Sequence, residues 1–279
     1  MSVKLKYVAS SGREYDLKTS GLLKTRTANY HIWTWGVEGT KLQFGTRVST
    51  FTREAAQYTT QLILDGSIPV RKKLLDDLHE DFELDVRNKR MGRIIWGEYY
   101  IDCYIIASST YPDSNDWWTD NDLTIYCPYP FWIKDHKRSF FGRHGVTPTN
   151  FLDYEFDYEY DWYIGDPGTA VWDAGLPFAS EFEMTIFGPV SNPRVTINGW
   201  PYGFNDTLSD DEYATINSRN NTVIKRTSGG HDISIFDTRF KAQSIFTPIP
   251  AGSLEIAWSG LFGFDITLFE ERSEPRWNM

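Results

Sequence analysis

The densest run of ionisable side chains is Asp153–Trp162, DYEFDYEYDW, in which five acids alternate with five aromatic residues. In an extended chain the carboxylates would line one edge and the rings the other. A calcium loop needs a glycine at its sixth position to turn, and this run has none. Glycoside hydrolysis uses two carboxyl groups about 5–10 Å apart, a separation that neighbours i and i+2 on a strand approach. It also needs one carboxyl in a surrounding that raises its pKa, and five equivalent solvated acids do not supply that asymmetry. The run therefore reads as an aromatic-packed, acid-faced extended segment.

The other reactive side chains are dispersed. His31, His79, His136, His144 and His231 share no ligand spacing, and His136 and His144 read as solvated members of a basic connector. Cys103 and Cys127 lie in strand-like segments without CxxC or Cys/His spacing, which favours free buried thiols over a disulfide or a metal site. The sequence has no GxSxG elbow, no GxxxxGK[ST] phosphate loop, no HExxH and no GxGxxG after a strand. We expect no catalytic, cofactor-binding or metal-ligating residues, no cofactor, and no enzyme activity.

The formal charge is −10, and it is unevenly spread. Residues 1–135 carry 17 lysines and arginines against 18 acids; residues 136–279 carry 11 against 20. Neither part has the clustered positive charge that releases counterions from phosphates, so duplex recognition is excluded. No window approaches eighteen consecutive apolar residues, and the start, MSVKLKYVASS, lacks the apolar core of a signal peptide. Synthesis and folding in a cytoplasm, without membrane insertion, are expected.

A length of 279 residues accommodates two domains, and LTIYCPYPFW, Leu123–Trp132, reads as the joint between them. Leu123, Ile125 and Cys127 alternate with polar partners, the period of a half-buried strand. Pro128 and Pro130 then end the ladder and stiffen the exit. Ahead of the joint, short strands are expected at Lys4–Ala9, Tyr15–Leu17, Leu42–Val48 and Tyr58–Leu64. One helix follows, starting at Ser67 and Pro69 and burying Val70, Leu74, Leu75, Leu78 and Phe82, with Arg71, Lys72, Asp76, Asp77 and Glu80 on the solvent side. Gly92–Trp96 and Glu98–Thr110 form a hairpin around Gly97, with alternation kept through Ala107. Tyr111–Asp122 is a polar loop whose Trp117 and Trp118 are either tucked beneath it or an assembly contact. Past a connector at Ser139–Asn150, strands recur at Glu181–Phe187, Arg194–Asn198, Ala214–Asn217, Thr222–Thr227, Ile233–Phe236, Ser244–Thr247, Leu254–Trp258 and Phe264–Phe269, the spacing of a β-sandwich.

Several phrases occur in a fixed order: RKKLLDDLHEDF (71–82), CPYPFW (127–132), FDYEYDW (156–162), FGPVSNPRVTING (187–199), FTPIPAGSLEIAWSGLFGFDITL (246–268) and EERSEPRW (270–277). In this the chain resembles the siphophage distal tail protein family, known as Dit or Sipho_tail, over nearly its whole length. The resemblance implies a mainly β protein. Residues 1–135 would be an N-terminal β-sheet ring domain with one helix, and residues 136–279 a C-terminal galectin-like β-sandwich. The last ten residues, holding Pro275 and Trp277, are expected to pack back on the first domain.

The implied function is that of a virion structural protein at the tail tip, made in the cytoplasm of a host bacterium. As a hexamer it would form the hub ring of the baseplate and serve host attachment. Its partners would be further copies of itself, the tail tube protein, the tape-measure protein, the tail-associated lysin or tail-tip protein, and a receptor-binding protein. DNA would pass through the ring without specific binding.

A carbohydrate-binding module aiding adhesion is the alternative. Asn192-Pro193-Arg194 matches part of the galectin sugar motif, but Val190 stands where its histidine would be, and no tryptophan–glutamate–arginine set follows. Gly188–Asn192 then reads as a turn between strands. A sugar site would stack its ligand on exposed aromatic faces, for which Trp172 and Trp200 are the candidates.

Overall fold

The computed structural model describes residues 5–17, 21–111, 117–142 and 168–276. The acidic run Asp153–Trp162, His144 and Trp277 lie outside them, as does most of the connector after Phe140. The chain forms two compact units, residues 1–134 with 271–279 and residues 135–270. The protein is mainly β, with one α-helix among the described residues.

The first unit holds β1 (Leu5–Val8), β2 (Glu14–Asp16), β3 (Leu23–Ala28), β4 (Gly36–Lys41), β5 (Thr46–Thr52), β6 (Ala56–Asp65), helix α1 (Ile68–Asn88), β7 (Gly92–Trp96), β8 (Tyr99–Thr110), β9 (Trp118–Cys127) and the start of β10 (Trp132–Phe140). Strand β8 belongs to two antiparallel sheets. Its first half pairs with β7, and its second half with β9 in the order β3-β6-β9-β8. A register shift between Ile105 and Ala107 marks the change of partner. A bulge of this kind re-aims the strand, so the expected alternation ends at Ile105 and Ala107 is exposed. Tyr30, Tyr58 and Trp132 pack edge-on or tilted at the centre of this core.

Helix α1 begins where the sequence places it. Ser67 is extended, proline occupies the first turn, and Lys89 closes the end in the left-handed region at φ 53°. Its buried face differs from the expected one. Leu78 and Phe82 are inside, but so are Arg71, Asp81 and Asp85, whereas Val70 is exposed. The inward polar groups meet partners from remote strands: Tyr15 donates to Asp81 Oδ2 at 2.5 Å, Tyr7 to Asp85 Oδ2 at 2.5 Å, and Arg71 to the Thr119 hydroxyl at 3.2 Å. A charged residue is tolerated inside only with such partners, and helical spacing cannot reveal them.

Three further expectations change in this unit. Leu42–Val48 is not one strand, because Leu42–Gly45 is the turn between β4 and β5, closed by Leu42 N–H donating to the Gly45 carbonyl at 3.0 Å. Strand β9 starts at Trp118 inside the expected polar loop, its backbone at Trp118–Asp122 pairing with Gln61–Asp65 of β6. Strand β10 extends to Phe140 through IKDHKRS, a stretch whose charges hide its period of two.

The second unit holds the rest of β10, then β11 (Thr169–Asp173), β12 (Phe182–Phe187), β13 (Val190–Ser191), β14 (Arg194–Ile197), β15 (Trp200–Gly203), β16 (Thr207–Leu208), β17 (Tyr213–Asn217), β18 (Thr222–Arg226), β19 (Asp232–Ser234), β20 (Ser253–Trp258) and most of β21 (Phe264–Arg272). One sheet runs β19-β18-β17-β12-β21-β10 and the other β11-β20-β14-β15. Inward residues of both, among them Met184, Ile197, Ile216, Ile256 and Phe264, form one core. Asn198 and Gly199, both at positive φ, make the two-residue turn joining β14 to β15. Pro201 is accommodated because β15 is an edge strand. Ser244–Thr247 forms no strand, although Ile245 is buried there.

Candidate functional site

Strands β4 and β5 pair only with each other, and every residue in them is exposed. The register sets Val37 opposite Phe51 and, past a shift between Glu38 and Gly39, places Val48 on the same face; Glu38, Thr40, Arg47 and Thr50 share the other. At Gly39 an added Cβ would run into the Arg47 carbonyl, so the bulge depends on glycine there. Phe44 projects from the turn with 87 % of its surface exposed, beside Leu42 at 56 %. A two-stranded hairpin is marginal in water. The hairpin thus carries an exposed apolar face and an exposed apolar tip, and exposed apolar patches are a common feature of interaction surfaces.

The foot of this arm is built differently. Ile32 and Trp33 are half exposed and, with Thr34, Arg53, Glu54 and Gln57, line a groove of about 410 Å³. The Arg53 guanidinium lies 4.6 Å over the Phe131 ring and 5.7 Å from Trp35. It also reaches the end of the chain, donating to the Ser273 hydroxyl at 2.8 Å and to its carbonyl at 3.2 Å. Tyr129 donates to Glu271 Oε2 at 2.7 Å, His31 lies 3.7 Å from Glu274, and Pro275 is buried. Burial holds the Arg53 pKa below the ordinary arginine value and, against the pull of Glu274, holds His31 below the usual imidazole value.

The histidines of the described residues do not converge. His79 is hydrogen-bonded to the Ser108 hydroxyl at 2.9 Å, and His231 is exposed. His136, expected to be solvated, instead lies in β10, partly buried and 2.8 Å from Glu270 Oε2. No group of three or more His, Cys, Asp or Glu suited to a metal occurs among the described residues. Cys103 and Cys127 are free and buried.

The expected sugar platform is also turned inward. Trp172 is 8 % exposed within the sandwich core, and Trp200 packs against that core while donating its indole N–H to the Ser244 carbonyl at 2.9 Å. Arg194 donates to the Phe204 carbonyl at 3.0 Å and to Asn205 Oδ1 at 2.7 Å, and its guanidinium stacks 4.3 Å from Phe240. Val190 and Ser191, placed in a turn by the sequence, instead pair as a strand with Leu208 and Thr207. The exposed hairpin escaped sequence reading because its pattern, GVEGTKLQFGTRVSTF, is that of any half-buried hairpin. The one signal is Phe44 beside Gly45 in the turn.

No protein-family model matches the sequence, and no curated protein matches it. Solved structures do. The Dit protein of phage SPP1, described as a paradigm of the hub adsorption apparatus in phages infecting Gram-positive bacteria, superposes with a TM-score of 0.62 at 8 % identity, covering 98 % of this chain and 100 % of that one. A chain of the phage P2 baseplate, in an activated conformation with calcium, gives a TM-score of 0.65 at 12 % identity, covering 99 % and 100 %. The same baseplate with strontium gives 0.64 at 10 %. At these identities the likeness establishes the fold.

Proposed function

We propose that this chain is a structural subunit of a phage or prophage tail, a distal tail protein acting at the tail tip without catalysis. The observation that carries the reading is the likeness along 98–99 % of the chain to hub and baseplate proteins. In this reading residues 1–134 with 271–279 are the ring-forming domain, and residues 135–270 a galectin-like module facing other tail components. Six copies close a ring. The ring joins the tail tube and tape-measure protein on one side to the tail-associated lysin or tail-tip protein and a receptor-binding protein on the other. The near balance of charge in residues 1–135 suits a ring that DNA must traverse without being gripped.

The β4–β5 arm supports self-association. A head-to-tail contact repeats into a ring when its rotation closes, and an arm with an exposed apolar tip, paired only within its own hairpin, is suited to contact a neighbour. Electron microscopy and native mass spectrometry at high concentration, alone and with the tail-tip protein, are expected to show six copies. Phe44→Asp with Phe51→Asp is expected to leave the monomer folded and abolish the ring. A persistent monomer under all conditions, or a ring indifferent to both substitutions, would reject the arm-mediated assembly.

A further inference from the structure

Cys103 and Cys127 face each other across the β8–β9 ladder. The register of the two strands begins with Tyr104 opposite Tyr126, one step beyond Cys103 and Cys127, and the two thiols are within hydrogen-bonding reach of each other. Directly opposed residues in an antiparallel pair have Cα atoms about 4.5–5.5 Å apart and side chains on one face. Disulfides span Cα separations of about 4.4–6.8 Å. Both cysteines are free and fully buried. Their neighbours on the outer side of each strand are small, Gly92 beside Cys103 and Ala56 beside Cys127, so no bulky side chain wedges the pair apart. A hydrogen bond donated by the Cys103 thiol to Cys127, and then burial, hold the Cys103 thiol well above its usual pKa. With both side chains fully buried, neither thiol can be reached by a small disulfide once the ladder has closed.

We propose that Cys103 and Cys127 are a latent disulfide site: a dithiol when the chain folds under reducing conditions, and a cross-strand disulfide when it folds beside a low-molecular-weight disulfide. One cysteine thiolate attacks that disulfide, forming a mixed disulfide and releasing one small thiol. The second cysteine then attacks the protein-bound sulfur and expels the other small thiol. Two S–H bonds are lost and one S–S bond forms, and the two electrons and two protons leave on the small thiols. The resulting bond ties β8 to β9 directly before the Pro128–Pro130 exit. This inference does not depend on the role proposed for the chain.

The test is to refold the full chain from denaturant in an oxidised and reduced glutathione mixture, and in parallel in excess dithiothreitol. Each product is then alkylated under denaturing conditions and examined by intact mass and peptide mapping. The oxidised product is expected to take up no alkyl group and weigh two hydrogens less than the unmodified dithiol chain, whereas the reduced one takes up two alkyl groups. The oxidised product is also expected to contain linked Cys103 and Cys127 peptides and to melt about 5–10 °C higher. Glutathione added after folding is expected to leave both thiols free. The Cys103→Ala, Cys127→Ala double variant controls for folding, and its midpoint is expected to ignore the glutathione mixture. Full alkylation of both cysteines after oxidative refolding, bonds only between chains, or a linked form that melts lower than the dithiol would each overturn the proposal.

Discussion

Arg53 and Ser273 are joined by two hydrogen bonds, 2.8 Å to the hydroxyl and 3.2 Å to the carbonyl, across 220 positions of sequence. The contact fastens the end of the chain to the foot of the β4–β5 arm, with the guanidinium packed on Phe131. Arg53→Ala is expected to cost about 1–2 kcal/mol, the sum of a lost two-pronged bond and a lost ring contact. Arg53→Lys is expected to recover little, because an ammonium cannot reproduce the fork. Chemical denaturation gives the stability, and carboxypeptidase trimming gives the release of residues 271–279. Unchanged values in both would show that the end is held by other contacts.

Asp85 is the hub of a second connection made over distance. It accepts from the Tyr7 hydroxyl at 2.5 Å and from the Ser10 amide at 3.1 Å, and is fully buried. The same hydrogen bond and, above it, burial push the Tyr7 phenol far above its ordinary pKa. Asp85→Ala leaves three donors, the Tyr7 hydroxyl and the Ser10 amide and hydroxyl, without an acceptor and is expected to destabilise the first unit by about 3 kcal/mol. Tyr7→Phe should cost less, about 1–2 kcal/mol, since Asp85 keeps its other donors. A double-mutant cycle returning no coupling would contradict this account.

Gly92 faces the same pair. A Cβ at this position would meet the Tyr7 hydroxyl, an atom of that ring and Asp85 Oδ2 at distances that no real contact tolerates. Gly92→Ala is therefore expected to destabilise by about 1–3 kcal/mol despite the higher strand propensity of alanine. Combined with Tyr7→Phe the penalty should shrink, and a strictly additive pair would show that the clash lies elsewhere.

His31 makes the first unit sensitive to mild acid. Burial lowers its pKa below 6.5, with Glu274 opposing, so near pH 6 the unfolded chain takes up a proton that the folded chain refuses. Stability then falls as pH drops from about 6.5 through the folded pKa. Unfolding curves between pH 7.5 and 5.5 are expected to show that slope, and His31→Gln should flatten it. An equal slope in the variant would assign the effect to another group.

Trp172 and Trp200 are expected to report on folding rather than on sugar binding. Trp172→Ala should cost the second unit about 3–5 kcal/mol, and Trp200→Ala less, because that ring is only half-buried. A glycan signal on an array that disappears in a fully folded Trp200→Ala protein would restore the carbohydrate reading.

The start of α1, the hairpin around Gly97, the inward set Leu123, Ile125 and Cys127, and most strands of the sandwich were legible in the sequence. In each of these, one apolar face dictates the local period, and a cap or turn residue marks the end. Tertiary structure decided what periodicity cannot carry. Arg71, Asp81 and Asp85 are inside because hydroxyls from β1, from the turn after it, from β2 and from β9 arrive to pair with them. IKDHKRS is a strand because neighbouring strands satisfy its backbone, although its side chains read as a connector. Cys103 meets Cys127 only through the register of β8 on β9, and Arg53 meets Ser273 only because the segment after residue 270 belongs to the first unit. Burial of apolar surface is a sum over single residues and leaves its period in the sequence, whereas pairing a buried charge, a thiol or an amide depends on a partner whose position the fold alone supplies.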